Sequence, residues 1–113
     1  MHEVGIMQEA VRLAVAKAEA SGGTRVHGLR LRVGKMSGVV PDSMRFAFDM
    51  VCLGTTAEGA QLEIEEVPAR CWCAGCQAEF PVDELLNECP QCHEFSNELR
   101  GGRELEIASV EIS

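Results

Sequence analysis

The apolar residues between Val4 and Ala20 recur at steps of three and four positions, which is typical of one face of an amphipathic helix. Ser21-Gly22-Gly23 follows this stretch and supplies a helix stop. We interpret the apolar stripe as core packing. It comprises Val4, Met7, Val11, Ala14 and Ala18, and it is widened by Ile6, Ala10 and Leu13.

A second helix is predicted between Pro41 and Gly54. Proline suits the first position of a helix because its missing N–H would have no partner there. We expect Cys52 to be a buried, small apolar residue near the helix end. The expected inner face consists of Met44, Ala47, Phe48 and Val51, with Phe46 and Met50 flanking it.

Three stretches alternate between apolar and polar residues, which predicts half-buried strands. They cover residues 25–34, residues 60–67 and the segment from Leu105 to Ile112. In the first of them, Arg30 and Arg32 fall on the polar side, and we interpret this side as a solvated face.

The order helix, strand, helix, strand, cysteine-rich segment, strand predicts an α+β fold. Its simplest form is two helices packed on one face of a small three-stranded mixed sheet, with an inserted zinc-ribbon-like module of four cysteines. We assign residues 1–69 plus 101–113 to the α+β domain and residues 70–100 to the inserted module. Arg100-Gly101-Gly102 is expected to be a turn.

Two Cys-x-x-Cys pairs, Cys73/Cys76 and Cys89/Cys92, are separated by twelve residues. Pairs at this spacing can close four thiolates around one tetrahedral Zn²⁺. Four sulfurs leave no coordination position for water, which favours a structural role for the metal over a catalytic one.

Several alternatives remain open at this segment. Cys71 can exchange with Cys73 as a ligand, although a one-residue gap suits a metal knuckle less well. His93 directly follows Cys92 and can replace a thiolate or hydrogen-bond to one. Cys89-Pro-Gln-Cys92-His93 also matches the haem c attachment pattern, and either cysteine pair can act as a redox dithiol.

Charge limits the classes of partner. The formal net charge is −8, and the segment between Arg70 and Glu98 contains six acidic residues. Phosphate contacts need lysine and arginine, so nucleic acid is not an expected partner. We expect a cytoplasmic protein, since no signal peptide and no membrane span is visible and cysteine pairs in a reducing compartment more often bind metal than form disulfides.

The first three residues, Met1-His2-Glu3, form a second candidate metal site. The Met1 amine, the His2 amide nitrogen and the His2 imidazole can close fused chelate rings, and the Glu3 amide nitrogen or a water can add a fourth donor. Such nitrogen donors form a square-planar field that suits Ni²⁺ or Cu²⁺. The alternative is a frayed chain end without function. No phosphate loop, no nucleophile–base set and no open metal position is visible, so no enzyme activity is expected.

Taken together, these segments resemble the HypA/HybF family of nickel metallochaperones over the whole chain. Met1-His2-Glu3 looks like the family's nickel signature, and the segment from Leu31 to Asp49 resembles its central part. The resemblance implies Ni²⁺ as transient cargo at Met1, His2 and Glu3, and structural Zn²⁺ at the four cysteines. It also implies that Asp42 has a role near the nickel site.

The resemblance further implies delivery of nickel, together with a HypB-type GTPase, to the [NiFe]-hydrogenase large-subunit precursor. A homodimer is compatible with the long connections around the cysteine module. The rival hypothesis is a zinc-ribbon module that binds a protein or RNA partner and has no nickel function; it predicts one metal per chain and no effect of His2→Ala.

Overall fold

The computed structural model describes residues 3–82 and 87–113. The described elements are, in order, α1 Glu3–Ala20, β1 Val26–Gly34, α2 Pro41–Cys52, β2 Gln61–Val67, β3 Arg70–Cys73, β4 Ala78–Pro81, β5 Leu99–Gly101 and β6 Leu105–Ile112. Neither described helix is long and apolar enough to cross a membrane.

Helix α1 follows the predicted periodicity. Its buried residues are Met7, Ala10, Val11, Ala14 and Ala18. Val4 and Leu13, which were expected to extend this face, are 45% and 44% exposed because they lie at its margins. The helix ends as predicted: Gly22 adopts φ +77°, and the N–H of Gly23 donates to the carbonyl of Ala18 at 2.8 Å.

Strand β1 lies in the centre of a three-stranded sheet with the order β2-β1-β6. Hydrogen bonds join Thr24 to Ser113 and Gly34 to Glu104, so the start of β1 lies beside the end of β6 and the two strands are antiparallel. Ion pairs join Arg30 to Glu63 and Arg32 to Glu65. Because the residue numbers of the partners increase in the same direction in both strands, β1 and β2 are parallel. The sheet is therefore mixed, as predicted.

The two faces of β1 differ as the alternation predicts. Leu29, Leu31 and Val33 are each 2% exposed. On the opposite face, Arg30 contacts Glu63 at 2.9 Å, and Arg32 contacts Glu106 of β6 at 3.1 Å. The arginines thus lie on a solvated face and are neutralised by acids of the two flanking strands.

Helix α2 begins at Pro41, which is at its first position, and packs against α1. Its core-facing residues are Met44, Ala47, Phe48 and Cys52. Burial, helped by the nearby Asp49 carboxylate, raises the pKa of the Cys52 thiol to about 11. Cys52 is therefore the buried, unreactive thiol that the sequence predicts.

The cysteine-rich segment contains a second sheet that the sequence did not predict. Its order is β4-β3-β5, with both pairs antiparallel. The expectation of a turn at Arg100-Gly101-Gly102 is wrong in part, because Leu99–Gly101 forms β5 and pairs with β3. Three residues are too few to show an alternation of apolar and polar positions, so this strand has no sequence signal of its own.

The chain divides into two compact units. The first contains the chain through Arg32, Val39–Glu65 and Glu106–Ser113, and the second contains Val33–Gly38 and Glu66–Leu105. Within the second unit, the N–H of Lys35 donates to the Val67 carbonyl at 2.9 Å and that of Met36 to the Gly102 carbonyl at 2.7 Å. These bonds explain why Val33–Gly38 belongs to the second unit. The division into a nickel-binding and a zinc-binding domain remains a prediction.

Candidate metal centre

Strands β3 and β4 and the segment after residue 87 bring four cysteine sulfurs together. The sulfurs of Cys73, Cys76, Cys89 and Cys92 all lie within 4.8 Å of one another. The Sγ–Sγ distance is 3.5 Å between Cys73 and Cys92 and 3.9 Å between Cys76 and Cys89. A tetrahedron with Zn–S bonds of about 2.3 Å has sulfurs about 3.8 Å apart. The cluster therefore has the donor set and the size that Zn²⁺ requires.

Both cysteine pairs use the same backbone turn. The residue after the second cysteine of each pair adopts a left-handed conformation, with φ 54° at Gln77 and φ 64° at His93. These are the only residues other than glycine with positive φ in the described part of the chain. This conformation closes the turn tightly and allows backbone N–H groups to face sulfur.

The pKa values of the cysteine thiols depend on their contacts with backbone N–H groups and with one another. The backbone N–H groups of Cys92 and Gln91 hydrogen-bond to the sulfur of Cys89 and lower its pKa to about 7. Contacts with the sulfurs of Cys92, Cys73 and Cys89 raise the pKa of Cys76 to about 12. Four crowded sulfurs cannot all become thiolates without a cation between them, and a divalent metal removes that restriction.

The two alternative ligands lie outside the cluster. Cys71 is 2% exposed and packs in the core of the second unit with Cys73, Phe80 and Cys89, and burial raises its pKa. The Nδ1 atom of His93 lies 2.9 Å from the Glu88 carboxylate. The four sulfurs thus form one group without either residue, and the convergence of both pairs fits the haem c and redox dithiol alternatives poorly.

Trp72, the single tryptophan of the chain, lies on the face of β3 opposite to Cys71 and Cys73. The guanidinium of Arg100 lies 4.5 Å from the centroid of its ring. Arg100 also forms an ion pair with Glu98. This cation–π contact was not predicted, because nothing in the sequence places a residue of β5 over a residue of β3.

Of the expected nickel ligands, Met1 and His2 lie outside the described residues. Glu3 begins α1, and its carboxylate accepts a hydrogen bond from the N–H of Val40 at 3.3 Å. Glu3 and Asp42 line the same groove between α1 and α2, which has a volume of about 490 Å³. The structure therefore places Asp42 in the same groove as Glu3, and a role of Asp42 near nickel remains a prediction.

Comparison with known proteins identifies the family. The family model described as "Hydrogenase/urease nickel incorporation, metallochaperone, hypA" matches residues 1–112. The hydrogenase maturation factor HypA of Picosynechococcus is 47% identical over 112 residues, which are 99% of each chain. The HypA protein of Chlorobaculum tepidum is 41% identical over the same length and the same share of each chain.

Two solved structures share the fold. The solution structure of the Ni metallochaperone HypA from Helicobacter pylori matches with a TM-score of 0.67 at 19% identity, covering 99% of this chain and 97% of that one. Another HypA solution structure matches with a TM-score of 0.75 at 20% identity, covering 100% and 97%. The chain therefore belongs to the HypA family of hydrogenase/urease nickel-incorporation metallochaperones, which are maturation factors and not enzymes.

Proposed function

We propose that this protein binds Ni²⁺ as transient cargo through Met1, His2 and Glu3 and holds structural Zn²⁺ with Cys73, Cys76, Cys89 and Cys92. With a HypB-type GTPase in the cytoplasm, it delivers the nickel to a [NiFe]-hydrogenase large-subunit precursor. The observation that carries this proposal is the match of residues 1–112 to a nickel-incorporation family.

The chemistry of the two sites supports a structural role for the four cysteines and a cargo-binding role for the chain end. The four sulfurs form a closed set with the size of a tetrahedral zinc site, and such a site exchanges its ion slowly. Cargo needs few ligands that solvent and a partner can reach. An amine, an amide nitrogen and an imidazole at a chain end meet that requirement and favour square-planar Ni²⁺.

The role of Glu3 in this proposal is limited to its backbone. Its carboxylate is engaged with the N–H of Val40. This contact holds the first turn of α1 near the start of α2, while the amide nitrogen of Glu3 or a water supplies the fourth nickel donor.

Calorimetric titration with Ni²⁺ tests the proposal, using zinc-loaded protein with an untagged amino terminus. We expect one high-affinity nickel equivalent per chain, and we expect both His2→Ala and the addition of one residue before Met1 to abolish it. His27→Ala is the matched control, because His27 is an exposed histidine on β1, and it should bind nickel like the wild type.

Zinc content, measured by elemental analysis, should be the same in all four proteins. Unchanged nickel affinity in His2→Ala or in the extended protein would overturn the proposal. A second metal equivalent that is lost when Cys76 is replaced, but not when His2 is replaced, would place the nickel on the sulfur cluster instead.

A further inference from the structure

Helix α2 carries two apolar stripes, and only one of them is buried. The core-facing stripe contains Met44, Phe48 and Cys52. The second stripe contains Phe46, Met50 and Leu53, which are 71%, 52% and 66% exposed. Steps of four and three place these side chains on one face of the helix, with Leu53 directly after its last residue. We call these three residues the outer stripe.

The outer stripe borders the groove between α1 and α2. This groove is lined by Glu3, Val4, Asp42, Ser43, Phe46, Ala47 and Met50. Val4 of α1 is itself 45% exposed and adds a fourth apolar side chain to the patch. Single exposed apolar residues are ordinary on protein surfaces, but a contiguous patch beside a groove is typical of a binding site.

The spacing of the outer stripe indicates the shape of what covers it. Apolar residues at alternating steps of three and four form the seam along which two helices pack. A strand or an irregular loop does not match this spacing along its length. The residue one step earlier, Ser43, is small and leaves room at the start of the seam.

Charge indicates the composition of the partner. Asp42 and Asp49 are exposed and seven residues apart, so both lie on the same side of the outer stripe. Helix partners place charged residues of opposite sign at such flanking positions. The matching helix therefore carries lysine or arginine beside its apolar residues.

We propose that the outer stripe binds one amphipathic α-helix of another protein, whose apolar stripe is flanked by lysine or arginine. This site goes beyond the proposed nickel function and does not depend on it. Because Glu3 lines the same groove, the bound helix lies beside the segment that leads to the expected nickel ligands.

A second copy of this chain fits the surface less well. Each copy presents the same two exposed carboxylates, Asp42 and Asp49, beside its outer stripe, so a second copy does not supply the opposite charge there. Each copy also carries a formal net charge of −8. Like charges next to a desolvated seam oppose association.

Fluorescence anisotropy with two labelled synthetic helices of about 20 residues tests the proposal. Both have leucine at the seam positions; one has lysine at the flanking positions and the other has glutamate. Against the zinc-loaded full chain, we expect the lysine-flanked helix to bind at least about tenfold more tightly than the glutamate-flanked one. Asp49→Lys should reduce or reverse this preference.

Phe46→Asp should weaken binding of the lysine-flanked helix at least about tenfold. Phe95→Asp is the matched control, because Phe95 is also 71% exposed but lies in the second unit, and it should bind like the wild type. Circular dichroism and zinc content check the fold of each variant. If Phe46→Asp has lost its helices, Met50→Asp takes its place.

Equal binding of both helices by the wild type, equal losses in Phe46→Asp and Phe95→Asp, or no binding of the lysine-flanked helix would each overturn the proposal. So would sedimentation of the wild type as a dimer that Phe46→Asp converts to a monomer, because the occupant would then be a second copy. Nickel titration of Phe46→Asp should match the wild type, which separates failure of this proposal from failure of the nickel site.

Discussion

Gly34 is the position at which even a single methyl group meets main-chain atoms. A Cβ there would lie 2.1 Å from both the carbonyl carbon and the oxygen of Gly102, and 2.5 Å from the nitrogen of Arg103. These atoms belong to the backbone, so they cannot rotate out of the way. The contact therefore fixes Gly34 as glycine for steric reasons.

We expect Gly34→Ala to lower the free energy of unfolding by about 2 kcal/mol or more, because the backbone has to shift. Gly5→Ala is the control: its Cβ meets no atom within 4 Å, and alanine in a helix is favoured over glycine by about 0.5–1 kcal/mol. Urea unfolding measures both. Equal midpoints for the two variants would contradict the close approach at Gly34.

Residue-level features were predictable where they depend on nearby sequence. The convergence of four cysteine sulfurs follows from the spacing of two Cys-x-x-Cys pairs, and the burial of Cys52 follows from its position at the end of a helix. The contact of Gly34 with Gly102 was not predictable, since it joins segments that are far apart in the chain. The left-handed residues Gln77 and His93 gave no signal either, because glycine is the residue expected in that conformation.

At the scale of elements, α2 begins without a side-chain cap. Val40 occupies the N-cap position with extended backbone angles, φ −104° and ψ 116°, and its side chain offers no acceptor. The N–H groups of the first helical turn need acceptors from outside the helix. Val40 takes part in the backbone hydrogen bonds of the helix through its carbonyl, which accepts a hydrogen bond from the N–H of Met44 at 3.0 Å.

Val40→Ser should therefore raise the free energy of unfolding by about 1 kcal/mol relative to Val40→Ala, because the serine oxygen can accept an N–H of the first turn. Val40 is 53% exposed, so both variants lose little apolar burial. Chemical unfolding followed by circular dichroism measures the difference. If the serine and alanine variants unfold at the same urea concentration, the N–H groups of the first helical turn already have other hydrogen-bond acceptors.

Long elements with clear periodicity were predicted in type and approximate position, namely both helices and strands β1, β2 and β6. Strands β3, β4 and β5 were missed, because they are four, four and three residues long and are defined by their pairing. The outer stripe was visible in the sequence as a second set of apolar residues in α2. The sequence analysis places two of its residues, Phe46 and Met50, beside the core-facing residues, since the periodicity alone does not show which of two apolar faces is covered.

On the scale of the whole molecule, the two units carry different optical probes. Both described helices lie in the first unit, and Trp72 lies in the second. Trp72 is the single tryptophan, and the chain has no tyrosine. Tryptophan emission therefore reports on the second unit, while the helical circular dichroism signal reports on the first.

Removing the metal with a chelator, or replacing Cys76 with alanine, should unfold the second unit while the first remains folded. The hydrophobic cluster around the sulfurs consists of Cys71, Cys73, Cys89 and Phe80, with Val82 and Leu99 partly buried against it, and so small a cluster depends on the metal to stay folded. We expect Trp72 emission to shift to longer wavelength and the helical signal to remain. Cys52→Ala is the control and should retain both zinc and the native emission.

Loss of both signals together on chelation would show that the two units fold as one. The second compact unit combines Val33–Gly38 with Glu66–Leu105, which are far apart in the sequence. The backbone bonds from Lys35 and Met36 to Val67 and Gly102 determine the grouping of this segment, and no local pattern encodes such bonds.

Strands β2 and β6 flank β1, and both carry exposed acidic side chains outside the ion pairs with Arg30 and Arg32, namely Glu66 and Glu111. At neutral pH, two molecules that approach strand to strand meet mutual repulsion, so intermolecular sheets do not grow. The isoelectric point is about 4.8, so near that pH the molecule carries no net charge and the overall repulsion between molecules disappears. Mild acid therefore turns the same strands into templates for precipitation, and buffers well above this pH keep concentrated stocks clear.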